Sequence, residues 1–177
     1  VITFADPKFE ACVLAVCDFD SSGTITKVEA LEVVALSMSN KSITDLSGLE
    51  YFTNLTSLDI SGNSGLKSID LSALTKLETL NCDRCTGLTS LDVTKNVALR
   101  VLNCQYATFT SLDLSKNMAI ESLDLYLADE IKALDLSNHS QLKYVHVGSS
   151  GVANNLISLK VTGCSKLETL KCGATQI

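Results

Sequence analysis

The sequence predicts an α/β solenoid: short parallel β-strands stacked in coils of about 22 residues, closed at the N-terminal end by a helical pair. Three observations predict it. A unit of eleven residues returns from Leu55 to the end of the chain, as in Leu55-Thr-Ser-Leu58-Asp-Ile60-Ser-Gly-Asn63 and Leu88-Thr-Ser-Leu91-Asp-Val93-Thr-Lys-Asn96. Within each unit the first, fourth and sixth positions are apolar, the alternation of a strand with one buried face. Residues 1–42 do not repeat and carry helix signals instead. The expected division is a cap over 1–42 and a solenoid over 43–177, one structural domain around a continuous core.

In the cap, Asp6-Pro7 marks a helix start, with Asp as N-cap and Pro at the first helical position. Phe9, Cys12, Val13 and Val16 form its apolar face. A second helix is expected from about Lys27 to Ser37, with Val28, Leu31, Val34, Ala35 and Met38 inward, so that the pair covers the first coil.

Between the helices, Asp18-Phe-Asp20-Ser-Ser22-Gly23-Thr24-Ile25-Thr26-Lys-Val-Glu29 matches the twelve-residue EF-hand loop. Asp18, Asp20, Ser22 and Glu29 fall at ligand positions 1, 3, 5 and 12, the Thr24 carbonyl at 7, and Thr26 at 9, acting directly or through water. One weakly held Ca²⁺ is the expected cofactor, because calcium is held by charge and this loop offers three carboxylates. The same residues also spell a capping box, Thr26-Lys-Val-Glu29, so the loop reads equally as a metal-free cap.

Unit starts fall at Leu55, Leu66, Leu77, Leu88, Leu99, Phe109, Ile120, Ile131, Leu142, Leu156 and Leu167; the longer step after Leu142 marks an insertion around Gly148–Asn155. Alternate units match best. Type A starts at 55, 77, 99, 120, 142 and 167, and type B at 66, 88, 109, 131 and 156. One coil is A plus B, which stacks A strands on A strands ~4.8 Å apart. The B side either forms a second ladder or is looser, irregular backbone. Position nine reads Asn63, Leu74, Cys85, Asn96, Ala107, Asn117, Ala128, His139, Ser150, Cys164 and Thr175, an inward ladder of small polar groups that satisfies backbone left unpaired at the coil's turn. Cys82, Cys104 and Cys172 sit at position six with Ile60 and Val93 and read as core. The Cys82-Asp-Arg-Cys85 spacing therefore reads as two structural columns, not a metal pair.

Leu77-Glu-Thr-Leu-Asn-Cys82 followed by Leu88-Thr-Ser-Leu-Asp-Val93 resembles bacterial extracellular leucine-rich-repeat proteins, over residues 55–177. Ile43-Thr-Asp-Leu-Ser-Gly-Leu49 through Leu55 is similar to the segment that leads into internalin-like repeats. The resemblance implies an exported protein, extracellular or on the cell surface with a signal peptide removed, serving adhesion or ligand recognition.

Outward residues on the B side repeat almost unchanged: Asp70, Asp92, Asp113 and Asp135 flanked by Ser and Thr, a solvated scaffold surface. On the A side the coils differ, and Val101, Asn103, Gln105, Tyr126, Tyr144 and His146 offer aromatic anchors among amides and an imidazole, the mixture of a recognition surface. In the resembling family the A half is the ligand-facing one. A net charge of −6 argues against nucleic-acid partners, and no apolar run reaches the ~20 residues of a membrane span. No nucleophilic triad, catalytic carboxylate pair or phosphate loop can be assembled, and an enzyme is not expected. The reading is a non-enzymatic recognition module for a protein ligand. A structural or surface-display spacer and a glycan-binding adhesin are the alternatives. The sequence stops at Thr175-Gln-Ile177 partway through a coil, from which self-association through an uncapped last coil is expected.

Overall fold

The computed structural model describes residues 1–149 and 155–173. Helix α1 spans Pro7–Cys17, helix α2 Lys27–Glu32, and strand β1 Ala35–Ser37. After a single 3₁₀ turn at Leu49–Tyr51 come β2 (Ser57–Asp59), β3 (Thr79–Asn81), β4 (Val101–Asn103), β5 (Ser122–Tyr126), β6 (Ala133–Asp135), β7 (Tyr144–Gly148), β8 (Ser158–Lys160) and β9 (Thr169–Lys171). The six A units, joined by β1 from the segment before them, build a seven-stranded parallel sheet in the order β1-β2-β3-β4-β5-β7-β9. Its register pairs Leu58 with Leu80, Leu80 with Leu102, Leu102 with Leu123, and Leu123 with Val145, so position four of each coil stacks on position four of the next. On the B side, among the described residues, only β6 and β8 pair, and the other B units are irregular backbone.

The cap starts as its sequence dictates. Asp6 Oδ1 accepts the Lys8 N–H at 2.8 Å, and its Oδ2 accepts both the N–H (2.7 Å) and the hydroxyl (2.9 Å) of Thr44. One side chain thus caps α1 and fastens it to the segment leading into the first coil. The inward stripe is Phe9, Val13 and Cys17, while Val16 is exposed. Phe9 and Val13 thus lie on the expected face with Cys12 packed beside them, and Cys17 takes the inward place expected of Val16.

The second helix ends at Glu32, well short of Ser37. Val33 leaves the helix in extended backbone, and Ala35–Ser37 pairs in parallel with Ser57–Asp59. Leu36 stacks in register on Leu58, so strand burial in the sheet outweighs the helical alternative for a β-branched Val-Val pair. Val28, Leu31 and Val34 consequently face solvent, and Met38 is buried as the first coil's position-six residue.

The ladder forms where its residues are polar. Asn63 Nδ2 donates to Met38 O (2.9 Å) and Ile60 O (2.7 Å), and Asn117 Nδ2 donates to Val93 O and Asn96 O, both at 2.9 Å. Cys85 Sγ donates to Ile60 O at 3.1 Å, Cys164 Sγ to Leu136 O at 3.0 Å, and His139 Nε2 lies 3.0 Å from Leu114 O. Leu74, Ala107 and Ala128 are buried and fill the column without bonding; Ser150 and Thr175 lie outside the described residues. Cys82 and Cys104 bury in consecutive coils with their thiols 2.9 Å apart. Burial pushes the Cys85 thiol up to about 12 and the Cys104 thiol well above its ordinary range, so both stay protonated in the core.

Candidate recognition face and cap loop

The exposed face of the seven-stranded sheet carries an unbroken row of rings and cations. The Arg84 guanidinium lies 4.6 Å from the Tyr106 ring centroid, and Tyr106 meets Tyr126 edge-on at 6.2 Å. Tyr126 stacks on His146 at 4.9 Å, His146 meets Tyr144 edge-on at 6.3 Å, and Lys171 Nζ sits 5.5 Å over Tyr144. Beside the row, Asp124 receives Gln105 Nε2 at 3.1 Å on Oδ2 and the Tyr126 N–H at 3.0 Å on Oδ1, with His146 Nδ1 3.4 Å away. Asn103 Oδ1 accepts the Gln105 N–H at 3.2 Å. The structure thus brings together Asn103, Gln105, Tyr126, Tyr144 and His146. Val101 stands apart, in a shallow cleft with Arg100 and Glu121, where Glu121 pairs with both Arg100 and Lys143. Those two cations lower the Glu121 carboxyl, Lys143 the more strongly.

A rule of local chemistry explains why these residues stand out. In the A units, position five is Asp59, Asn81, Asn103 and Asp124, and each side chain accepts the N–H two residues on, closing the turn after the strand. The B units do the same with Asp70, Asp92, Asp113 and Asp135 at 2.8–3.0 Å. The B column is repeated because its turn is repeated, and these hydrogen bonds hold the four carboxyls low, Asp135 at about 2 with help from Lys160. His146 and Lys171 occupy that same position in the last two A strands and give the turn bond up. Position eight breaks pattern too. Its backbone is left-handed, which suits Asn40 and Gly62, yet the next three coils place Arg84, Tyr106 and Leu127 there.

Tyr106, Arg84 and Lys171 were not among the residues expected from sequence. Alternation turns positions three, five and seven outward, which includes Lys171, and it says nothing of position eight, where Arg84 and Tyr106 stand. The signal was present in Asn40 and Gly62, which mark position eight as a left-handed corner whose side chain leaves the coil.

The cap loop is built as a turn closed on its own carboxylates. Asp18 accepts the Ser22 N–H on Oδ1 and the Gly23 N–H on Oδ2, both at 2.9 Å, and Asp20 accepts the Ser22 N–H at 3.0 Å. Glu29 Oε2 accepts the Thr26 N–H and hydroxyl, each at 2.8 Å, and Oε1 accepts the Phe19 N–H at 3.1 Å. The capping box is complete, and the Thr26 hydrogen bonds, first the backbone one and then the hydroxyl, hold the Glu29 carboxyl low. Ser22 Oγ donates to the Thr24 carbonyl at 3.1 Å. Carboxylate oxygens of Asp18, Asp20 and Glu29 nevertheless lie within 4.8 Å of one another, Gly23 supplies the left-handed turn, and Ile25 is buried beneath. The donor set fits a hard oxygen-seeking cation after Glu29 is shared with its capping bonds.

Against known proteins, residues 24–117, more than half of the chain, match the family model described as the leucine-rich-repeat domain of the endo-beta-N-acetylglucosaminidase EndoS. The functional domain of InlJ from Listeria monocytogenes, described as including a cysteine ladder, is 31% identical with a TM-score of 0.70; the match covers 97% of this chain and 42% of that one. Internalin C2 from the same organism is 18% identical with a TM-score of 0.54, over 98% of this chain and 92% of that one, and shows the fold alone. The chain spans less than half the length of the InlJ domain. The curated proteins include no match. Among the described residues, no helix is long and apolar enough to cross a membrane.

Proposed function

Because the chain belongs to the leucine-rich-repeat family of the EndoS domain and shares the internalin solenoid, we propose that it is a non-enzymatic, exported recognition module, extracellular or on the cell surface, that binds a protein ligand through the exposed face of its seven-stranded sheet. One observation carries the reading: the residues that break the repeat's pattern, His146 and Lys171 in place of the turn-closing Asp or Asn and Arg84 and Tyr106 at the left-handed corner, converge with Tyr126 and Tyr144 in a single row. The B side, where four of five units repeat the same Asp turn and Lys160 in the fifth pairs with Asp135, is scaffold. A protein is a better occupant than a glycan because Tyr126 already has His146 stacked at 4.9 Å on one face and Tyr106 edge-on at 6.2 Å, which leaves ring edges and hydroxyls instead of a flat platform. Tyr126→Ala combined with Tyr144→Ala should weaken a partner recovered by pull-down. Retained affinity would move the site elsewhere.

The cap loop is the place for one weak Ca²⁺, with Asp18, Asp20 and Glu29 as carboxylate ligands, Ser22 and the Thr24 carbonyl completing the shell, and Thr26 directly or through water. Such an ion would stiffen the turn that sets α2, and through α2 the first strand. Millimolar Ca²⁺ should raise the melting temperature relative to EDTA, and an unchanged curve removes the ion from the reading.

A further inference from the structure

The geometry points to a ridge formed by Arg84, Tyr106 and Leu127 as the primary contact of the recognition face, shaped for an extended segment of a protein partner that sets a carboxylate against Arg84 and, three residues away, an apolar side chain against Tyr106 and Leu127. This rests on the sheet face being the binding side and narrows it to one margin and one ligand pattern.

The solenoid imposes the same corner on five successive coils, whatever residue stands there. The N–H of position eight donates to the position-seven carbonyl of the next coil: Asn40 to Ser61 at 2.8 Å, Gly62 to Asp83 at 2.7 Å, Arg84 to Gln105 at 3.1 Å, Tyr106 to Tyr126 at 2.9 Å, and Leu127 to Gly148 at 2.9 Å. With the backbone fixed at φ between 53° and 72° at Asn40, Gly62, Arg84, Tyr106 and Leu127, Gly or Asn is the unstrained choice. Three consecutive coils instead carry an arginine, an aromatic and an aliphatic. None of these side chains is buried in the core: Arg84 is exposed and Tyr106 and Leu127 are only half-buried. Strain accepted in adjacent coils, at residues whose side chains project from the sheet margin, marks a surface kept for contact.

The chemistry of the ridge selects its occupant. Arg84 is held on two sides, by Asp83 Oδ2 at 2.6 Å and by the Tyr106 ring, so its remaining N–H donors are preoriented for a carboxylate. Tyr106 and Leu127 continue the ridge as apolar steps. Neighbouring coils are ~4.8 Å apart, so Arg84 to Leu127 spans about 10 Å, which an extended chain covers in roughly three residues. A partner strand running along the solenoid axis therefore presents an acidic residue and a large apolar residue at that spacing.

The test is selection of random linear peptides on the wild-type protein. Binding of the recovered peptides is then measured by fluorescence polarisation on the wild type, Arg84→Gly/Tyr106→Gly and Tyr126→Ala/Tyr144→Ala, with melting curves for all three. The expected result is enrichment of Asp or Glu three residues from a large apolar residue. Affinity should fall about tenfold on the glycine variant, with no loss of its melting temperature, because glycine suits the corner. Recovery of no wild-type-specific peptide, absence of the spacing, or equal affinity for the glycine variant would each overturn it. So would a melting temperature lowered by several degrees, which would make these side chains packing groups. Peptides sensitive to the tyrosine variant alone overturn the ridge and leave the sheet face standing; peptides indifferent to both variants overturn both.

Discussion

The two flanks of this solenoid use one repeating unit to opposite ends. On the A side seven strands pair, and position four, from Leu36 through Val145, is sealed between coils. On the B side pairing is confined, among the described residues, to β6 with β8, and the same position is less complete: Ile69 and Leu159 are only partly buried, while Leu91 and Leu112 each retain 8% exposure. The outward residues run the other way. The B side repeats one Asp turn in four coils, and the A side departs from its turn rule at His146 and Lys171, within the aromatic row. The flank with the more regular backbone carries the less regular surface. A rigid ladder of hydrogen bonds tolerates side chains that do nothing for folding, and recognition needs such a support.

The largest effect that can break this comparison is in the core. Leu102→Ala, between Leu80 and Leu123 in the sealed column, is expected to cost about 3 to 4 kcal/mol in urea denaturation. Leu112→Ala, at the matching B position, should cost nearer ~2 kcal/mol, because it is less enclosed and the irregular backbone can collapse around the loss. Equal losses would mean that the B side packs as tightly as the sheet. Next comes the ladder. Asn117→Ala removes two donors to the buried carbonyls of Val93 and Asn96, an expected loss of ~2 kcal/mol or more in the same assay. A neutral result would show that water reaches those carbonyls.

Asp6 tests how the cap holds the first coil. Burial opposes its ionisation, but hydrogen bonds from the Thr44 N–H, the Lys8 N–H and the Thr44 hydroxyl overcome that and bring it from 3.8 to about 2. A carboxyl lowered by folding contributes stability that is present above pH 4 and lost as pH falls toward 2. Asp6→Ala is expected to cost about 1 to 2 kcal/mol at neutral pH and to flatten the acid limb of the stability curve. An unchanged acid limb would assign that loss to other carboxylates.

The coil length, the strand in each A unit and the polar ladder were legible because each rests on a period, and burial enforces periods. The end of α2 was not, since Val33-Val34-Ala35-Leu36 satisfies a helical and a strand stripe alike and only the presence of β2 beside it decides. The candidate face was half legible. Tyr126, Tyr144 and His146 stand on strand positions that alternation exposes, whereas Tyr106 and Arg84 project from a corner that alternation does not describe. The cap loop allowed two readings because Thr26 and Glu29 serve a helix start and a cation equally well, and the structure shows the first in place with the carboxylates for the second gathered beside it.

The smallest expected effect concerns the charge that the B column does not use. Asp92 lies between Asp70 and Asp113, and its charge opposes the ionisation of both. Asp92→Asn keeps an acceptor for the Thr94 N–H and hydroxyl, which sit at 2.8 and 2.7 Å from Oδ1, while removing the repulsion. The melting temperature should rise slightly at low ionic strength, and the gain should vanish near 1 M salt, where screening acts within ~3 Å. The reciprocal change on the other flank, Asn103→Asp, keeps its turn bond to Gln105 but adds a carboxylate next to Asp124, and it should lower the melting temperature under the same low-salt conditions. A fall for Asp92→Asn at every salt concentration would mean that the carboxylate itself, beyond its turn bond, holds something on the B face. A rise that salt abolishes would show that the Asp is repeated for its geometry, with its charge carried along, and that the repeated surface is the folding half of the molecule.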